Sequence, residues 1–202
     1  MSNRRPSSYP VIFQLFASRT ATPTIDALYG AIVAQARLPA FYLTYGVPDT
    51  VEGRFDMIVL HLVLLFRRLA REPEAERALA QGVFDRFCRD MDHNLREMGV
   101  GDLSVPKEMR RLGEAFYGRA EVYERAISAP DRSREKLAAA LARNVFAEPG
   151  PSAKALHLAA YVTEAERCLQ AASMAALACG ALGFPDPAAV PVPEPTSLEH
   201  HD

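Results

Sequence analysis

The residues best suited to chemistry stand close together at positions 90–97. Asp90, Asp92, His93 and Glu97 fall within this stretch, and on a helix His93 and Glu97 lie one turn apart on the same face. Imidazole and carboxylate groups at this spacing are able to ligate zinc. Di-metal centres in helical bundles instead pair Glu-x-x-His motifs on two helices, and this chain has no Glu-x-x-His. We therefore interpret the cluster as a solvated helix face and predict no metal.

Two histidines, His61 and His157, are the interior candidates for a haem ligand. A haem would require one or two histidines that face an apolar cavity. His61 stands inside the apolar run 57–66, where a core histidine with a hydrogen-bond partner is the alternative interpretation. The three cysteines are widely spaced and odd in number, which is typical neither of a disulfide framework nor of a zinc site. We predict free thiols, no cofactor and a reducing compartment.

An aromatic segment at residues 38–49 is a candidate contact surface. It contains Phe41, Tyr42 and Tyr45, and tyrosine and phenylalanine are favoured contact residues in protein interfaces. The alternative is that these rings plug the core. The charged side chains that follow, among them Arg54, would either form a polar rim on a binding groove or pair with one another at a helix start.

Composition restricts the function classes. The chain has 202 residues, of which 49% are apolar and 24% charged, with a formal net charge of −2. These values are typical of one soluble domain, and the small net charge argues against a DNA partner. The chain contains no glycine-rich dinucleotide motif, no phosphate loop and no Gly-x-Ser-x-Gly elbow. We predict that it is not an enzyme, and an uncharacterised enzyme is the weakest alternative.

Helical periodicity accounts for most of the chain. Apolar residues recur every three or four positions, which predicts a single-domain all-α bundle of six or seven helices and no sheet. The run 57–66 is apolar on all sides and should be the central helix, with Ile58, Leu62, Leu65 and Phe66 in the core. The predicted helices cover approximately residues 9–17, 22–36, 50–71, 73–98, 104–128, 131–146 and 152–179.

The two ends of the chain are expected to contribute no membrane span. Residues 1–184 should form one helical domain, and residues 185–202, which contain five prolines, a disordered or extended tail. The run 198–201 resembles the start of a purification tag and carries no functional weight. The N-terminal region lacks a signal-peptide pattern, and no apolar run reaches the roughly 20 residues that cross a bilayer.

Several short motifs occur in order along the chain. They are AQAR at 34–37, the stretch 42–55 with its Gly-Arg-Phe, LREMGVGD at 95–102, VPK at 105–107 and AFYGR at 115–119. Over roughly residues 20–180 this pattern closely resembles the ubiquinol–cytochrome c chaperone family of alphaproteobacteria and mitochondria. The resemblance implies an all-helical, non-enzymatic assembly factor of the cytochrome bc1 complex.

The resemblance also implies protein partners. Mitochondrial members act with a small helper protein at the ribosome and hold newly made cytochrome b until haem and further subunits are in place. A bacterial member has no clear need for the ribosome contact. The short N-terminus suits a bacterial cytoplasmic protein, with the inner face of the membrane as a second location. A carrier or sensor that binds a lipid, quinone or haem inside the bundle is the alternative function.

The aromatic segment and residues 95–119 are expected to approach each other and form one partner-binding groove. Tyrosine and arginine anchors flanked by charge give affinity and register for a protein partner. The glycines at 99–101 would allow close backbone approach, or would simply cap a helix and form a turn. The predicted partner-binding residues are Phe41, Tyr42, Tyr45, Asp49, Arg54, Asp56, Gly99, Gly101, Asp102, Lys107, Arg110, Tyr117 and Arg119.

Overall fold

Helices dominate the described part of the chain. A computed structural model describes residues 21–129 and 134–193. Within these residues there are six helices of at least 12 residues, two of five residues, one 3-10 turn and no strand, which confirms the all-α prediction. No described helix combines the length and the apolar character needed to cross a membrane. The elements are α1 (Ala21–Ala36), α2 (Pro39–Leu43), α3 (Val51–Leu69), α4 (Glu74–Glu97), α5 (Val105–Ile127), α6 (Arg134–Val145), α7 (Ala153–Ala171), α8 (Met174–Ala178) and η1 (Pro187–Ala189).

α3 is the central helix of the bundle. It packs against α1, α4, α5, α6 and α7, and every residue from Phe55 to Leu65 is buried. Ile58 and Leu62 lie in the core as predicted, whereas Phe66 is half-buried at the edge of it. The apolar run therefore identified the middle of the fold correctly, and the other helices are arranged around it.

Two local features set the start of α3. The Thr50 hydroxyl accepts a hydrogen bond from the Gly53 amide at 3.1 Å, which is a typical N-cap and confirms the predicted helix start. A side chain at Gly53 would collide with the carbonyl of Pro48, so glycine lets the preceding loop pack closely against the first turn. This packing holds Asp49 beside Arg54.

α4 and α5 form an antiparallel hairpin whose tip extends beyond the start of α3. The rings of Phe55 and Phe87 lie 6.1 Å apart, and those of Phe87 and Phe116 lie 5.8 Å apart, so the three stand at one level. α4 continues ten residues beyond Phe87 to Glu97, whereas α3 begins four residues before Phe55. At 1.5 Å per residue the hairpin overhangs the start of α3 by about 9 Å. We call residues 92–112 the arm.

Gly99 closes the tip of the arm. Its φ of +84° is left-handed, and the amides of Gly99 and Val100 donate to the carbonyls of Arg96 and Leu95, each at 3.0 Å. These bonds form the Schellman pattern that glycine favours, which confirms the predicted cap. Leu95 and Val105 are buried but stand apart from the main core cluster, so the arm buries apolar residues of its own.

Three element boundaries differ from the predictions. The aromatic segment contains the short helix α2 and is not a loop throughout. The predicted helix 152–179 is divided, because α7 ends at Ala171 and the Ser173 hydroxyl accepts from the Ala176 amide at 3.2 Å to begin α8. Ser104 precedes α5 as expected, but its side chain makes no capping hydrogen bond.

Residues 185–193 of the tail predicted to be disordered or extended have little regular structure beyond η1 but lie against the helices. After a left-handed turn at Gly183, with φ +66°, the chain packs back onto the helices, and η1 buries Pro187. We call residues 184–193 the C-terminal segment. Three predicted features lie outside the described residues, namely the helix 9–17, the cap at Asp131 and the remaining tail 194–202.

Candidate functional site

α2 and the start of α3 form an open surface pocket of about 380 Å³, which we call the corner pocket. The Arg54 Nε donates to Asp49 Oδ1 at 2.7 Å, and this bond lowers the pKa of Asp49. The Tyr42 hydroxyl donates to the Ala36 carbonyl at 2.8 Å, while Leu43 is 84% exposed. The pocket thus places an exposed apolar side chain beside an exposed ion pair. Its lining residues are Arg37, Pro39, Tyr42, Leu43, Asp49 and Arg54.

Phe41 and Tyr45 are not available as surface anchors, and their predicted role in contacting a partner is wrong for this structure. Both side chains are fully buried. The Phe41 ring meets Tyr161 edge-on with centroids 4.8 Å apart, and Tyr45 stacks on His157 at 3.8 Å. Phe41 lies in α2 and Tyr45 lies two residues beyond its end, and both rings turn into the core. The alternative interpretation, that these rings plug the core, is the correct one.

Asp56 and Arg119 meet inside the protein and do not form a polar rim, which corrects their predicted placement. Arg119 Nε lies 2.6 Å from Asp56 Oδ1, with the side chains 23% and 5% exposed. The two atoms are not aligned for a hydrogen bond, so the contact is an ion pair, and the guanidinium also lies 5.6 Å from the Phe55 ring centroid. Burial raises the pKa of Asp56 to about 6, although Arg119 acts in the opposite direction.

α3 separates the two predicted segments. Residues two apart on a helix point about 200° away from each other, so Arg54 faces the corner pocket while Asp56 faces Arg119 on α5. The ion pair through which the two segments meet is buried and offers no surface to a partner. The corner pocket and the arm are therefore two surfaces, where one groove was expected.

The arm presents most of the remaining predicted residues to solvent. Gly99, Gly101, Asp102, Lys107 and Arg110 are all exposed. Arg96 forms ion pairs with Asp92, at 2.7 Å, and with Asp102 across the tip. Further along α5, Tyr117 is 52% exposed while one edge of its ring packs against Phe116. These residues form an exposed charged surface, and their role in binding remains a prediction.

His93 and Glu97 make an ion pair on the arm rather than a recognisable metal site. His93 Nε2 lies 3.1 Å from Glu97 Oε1, and both side chains are mostly exposed. Among the residues that the structure describes, no three His, Cys, Asp or Glu side chains are grouped to hold a metal ion. The geometry fits the solvated helix face interpreted from the sequence.

Both ring nitrogens of His61, and Nε2 of His157, already have partners within the protein. His61 Nδ1 contacts the Met57 carbonyl at 2.7 Å, and its Nε2 contacts the Tyr161 hydroxyl at 2.8 Å. Burial lowers the pKa of His61 to about 4, so the ring is neutral. His157 donates from Nε2 to the Val190 carbonyl at 3.2 Å and stacks on Tyr45. Both rings are structural.

Two residues with a strong claim to a surface role were missed from the sequence. Met98 is 56% exposed and Leu103 is 98% exposed, and both stand at the tip of the arm. A signal was available, because Leu103 is a large apolar residue in a turn of glycine, aspartate and serine, where helical periodicity gives it no core to enter. Exposed apolar groups that cluster at one point are typical of interaction sites.

Known proteins resemble this chain over most of its length. The family model described as ubiquinol-cytochrome C chaperone matches residues 43–184. The crystal structure of the Cbp3 homolog from Brucella abortus superimposes with a TM-score of 0.76 at 40% identity, and covers 86% of this chain and 94% of that one. The family-model match extends through α3, the arm and α7, and so includes the whole arm and the part of the corner pocket that Leu43, Asp49 and Arg54 line.

More distant relatives carry related descriptions. The ubiquinol-cytochrome-c reductase complex assembly factor 1 of Xenopus laevis is 26% identical over 119 residues, which is 59% of this chain and 58% of that protein. The mouse and human proteins of the same description match at the same identity over 39% of their length. The chain therefore spans only about two fifths to three fifths of these relatives.

Proposed function

This chain belongs to the ubiquinol-cytochrome C chaperone family, and from that premise we propose that it assists assembly of ubiquinol–cytochrome c reductase by holding newly made cytochrome b. Its relatives are described as assembly factors of that complex. We infer a binding role without catalysis, performed in the cytoplasm or at the inner face of the membrane.

The tip of the arm is the observation that carries this proposal. Met98 and Leu103 expose large apolar side chains at the end of a hairpin that overhangs the start of α3. A polytopic membrane protein that is not yet packed offers apolar surface, and a flexible methionine adapts to varied apolar partners. Because these side chains are exposed at the end of a hairpin, the tip can approach a membrane-embedded client without requiring the chaperone to enter the bilayer.

Charges around the tip would orient the client. Lys107 and Arg110 are exposed on the first turns of α5, while Arg96 is neutralised by Asp92 and Asp102. Charges at an interface rim mainly set orientation and association rate, and apolar contacts at its centre supply most of the affinity. We therefore assign affinity to Met98 and Leu103 and orientation to the basic residues.

The alternative function, a carrier for a lipid, quinone or haem, has no supporting observation. The nitrogens of His61 are both engaged, and the corner pocket is open to solvent. The corner pocket instead suits a second protein contact, such as the small helper protein of the family, because it lies on another side of α3 from the arm. We make no proposal of ribosome contact for this chain.

Exchanging both apolar residues of the tip tests the proposal. In a host that lacks its own copy, Met98→Ser together with Leu103→Ser should lower the amount of assembled ubiquinol–cytochrome c reductase at least fivefold. Stability should change little, because exposed substitutions alter unfolding free energies by about 0.5 kcal/mol or less. The complex is measured by native gel and by haem b absorbance, and the protein by thermal unfolding.

Val192→Ser is the matched control, since Val192 is also a large exposed apolar residue, at 65%, but lies in the C-terminal segment. Assembly should be normal with this variant. A photo-crosslinker at Leu103 should capture cytochrome b, whereas the same group at the exposed Arg125, near the far end of α5, should not. Normal assembly with a folded double variant would overturn the proposal.

A further inference from the structure

The C-terminal segment is held by side chains that contact its main chain. Three donors from three different helical elements or their ends reach three carbonyl oxygens along it. The bonds are Gln35 Nε2 to the Pro185 carbonyl at 2.9 Å, the Tyr45 hydroxyl to the Pro187 carbonyl at 2.8 Å, and His157 Nε2 to the Val190 carbonyl at 3.2 Å.

The donors are held in place by contacts that do not involve the segment. Gln35 Nε2 also lies 3.1 Å from the Tyr161 hydroxyl. The rings of Tyr45 and His157 stack on each other at 3.8 Å, and Tyr45 has Phe41 on its other side at 5.5 Å. Donors fixed in this way remain aimed at the groove when it is empty, and such preorganisation favours binding.

The groove recognises little of the segment besides its carbonyls and its prolines. Pro187 is buried and the Phe184 ring meets His61 edge-on at 5.0 Å, whereas Asp186, Ala188 and Ala189 are exposed. Proline has no amide hydrogen, so a proline-rich chain can place carbonyls against donors without leaving a buried amide unpaired. Another chain with an aromatic residue and spaced prolines would satisfy the same contacts.

The segment is also attached in a way that allows it to leave. It follows the left-handed turn at Gly183, and the last core residue before that turn is Leu182. An open cleft of about 460 Å³ remains along the segment, lined on the helical side by Ala160, Thr163 and Glu164. Release would expose Pro187, the half-buried Phe184 and Val190, and the donors that the segment covers, while the contacts between the helices would remain.

We propose that this groove is a binding site for a proline-containing peptide of a partner protein, which the chain's own residues 184–190 fill until the partner displaces them. The partner segment has an aromatic residue followed by prolines at alternate positions, as in Phe184-Pro185-Asp186-Pro187. This site is separate from the tip of the arm, and its test does not depend on reductase assembly.

The test uses the full chain and a fluorescein-labelled peptide with the sequence of residues 184–193. Pro187→Asp in the full chain places a charge where the buried proline sits, so it should release the segment and tighten peptide binding at least tenfold over wild type in fluorescence anisotropy. Adding Tyr45→Phe should then weaken binding fivefold or more, because one of the three donors is lost. Circular dichroism verifies that both variants are folded.

Tyr42→Phe is the matched control, since the Tyr42 hydroxyl also donates to a carbonyl at 2.8 Å, but outside the groove. It should leave peptide affinity unchanged. If Pro187→Asp unfolds the protein, hydrogen exchange on wild type decides: millimolar unlabelled peptide should speed exchange of the Ala189 amide, which donates to the Asp186 carbonyl at 3.0 Å in the seated segment. Unchanged exchange, or a folded Pro187→Asp variant that binds no tighter than wild type, would overturn the proposal. The proposal would also be overturned if adding Tyr45→Phe to the Pro187→Asp variant left its affinity for the peptide unchanged.

Discussion

The central helix contributes to two buried polar clusters on different sides, and the clusters differ in charge and in hydrogen bonding. The first, the histidine cluster, contains His61, Tyr161 and Gln35. A carbonyl can only accept, so His61 Nδ1 donates to Met57, and Nε2 accepts from the Tyr161 hydroxyl. The Tyr161 oxygen accepts in turn from Gln35. Each of these buried groups has a partner, and none carries a charge.

The second, the carboxylate cluster, contains Asp56, Arg119 and Tyr123. Its charges are paired at 2.6 Å but poorly aligned. The Tyr123 hydroxyl is buried with no hydrogen bond of normal geometry to the described residues, although Asn144 is near enough to lower its pKa slightly against the larger effect of burial. The histidine cluster is thus neutral and its polar groups are all hydrogen-bonded, whereas the carboxylate cluster is charged and its hydrogen bonding is incomplete.

Burial shifts the pKa values of His61 and Asp56 in opposite directions. Burial disfavours the charged form of any group, so it lowers the pKa of His61 to about 4 and raises that of Asp56 to about 6. The unfolded chain takes up a proton on His61 first as pH falls below 6.5, so this group costs stability between pH 6.5 and 4. The folded chain protonates Asp56 first, so that group adds stability as pH falls from 6 to about 4.

Removing the arginine of the carboxylate cluster should have the largest effect. Arg119→Ala leaves the Asp56 carboxylate buried without a partner, which typically costs about 3–5 kcal/mol. We expect this loss in urea unfolding at pH 8, and a smaller loss at pH 5, where Asp56 is protonated. The control is Arg125→Ala, which breaks the exposed pair with Glu121 and should cost about 0.5 kcal/mol or less. Equal costs for the two variants would show that the Asp56 site is well solvated.

Replacing the Asp56 carboxylate by a neutral amide should separate the effect of Asp56 on the pH dependence of stability from that of His61. Each pKa shift corresponds to about 3 kcal/mol, and in the wild type the two effects oppose each other between pH 4 and 6. Asp56→Asn should therefore gain up to about 3 kcal/mol relative to wild type as pH rises from 4 to 6. The measurement is the difference in unfolding free energy across that range.

Asp49→Asn provides the matched control for that profile. Asp49 is exposed, and Arg54 lowers its pKa, so its contribution is present at neutral pH and is lost as pH falls. The difference between Asp49→Asn and wild type should be small and opposite in direction to that of Asp56→Asn. A profile for Asp56→Asn that matches the control would contradict the raised pKa of Asp56.

The sequence was sufficient to predict the helices but not the contacts within these clusters. The all-round apolar run identified α3, and Gly99 identified the end of α4, because both depend on neighbouring residues. The pairing of Asp56 with Arg119 spans 63 positions and depends on how α5 docks. Arg119 was selected from the motif at 115–119 and Asp56 as a charged residue beside the aromatic segment, and neither criterion gave information on whether the side chain faces solvent.

The aromatic segment and the C-terminal segment also show that local sequence does not determine long-range contacts. Phe41, Tyr42 and Tyr45 are all aromatic, yet the register of α2 and the turn that follows it decide which of the three rings face the core. The C-terminal segment has the composition of a disordered tail, and its order comes from Gln35, Tyr45 and His157. Those three donors are scattered over more than 100 positions, so no local pattern could have revealed them.

Removing a hydroxyl from the histidine cluster should lower the unfolding free energy by less than the removal of Arg119 does, but by a measurable amount. Tyr161→Phe removes the hydroxyl that donates to His61 and accepts from Gln35. Leaving two polar groups without partners in the core should cost about 2 kcal/mol. Urea unfolding at pH 7 measures the loss. If the loss is below about 0.5 kcal/mol, a water has replaced the hydroxyl and the cluster is not sealed.

The corresponding substitution in the carboxylate cluster, Tyr123→Phe, should change the unfolding free energy least. Tyr123 is as deeply buried as Tyr161, but Tyr123→Phe removes a hydroxyl that makes no well-formed hydrogen bond. Because that hydroxyl has already lost its hydration on folding without gaining a partner, removing it should change the unfolding free energy by no more than about 0.5 kcal/mol, and in the stabilising direction. Urea unfolding of both phenylalanine variants at pH 7 makes the comparison with ring volume held constant. A cost for Tyr123→Phe as large as that for Tyr161→Phe would mean that Asn144 bonds the hydroxyl in solution, and the two clusters would then be equally complete.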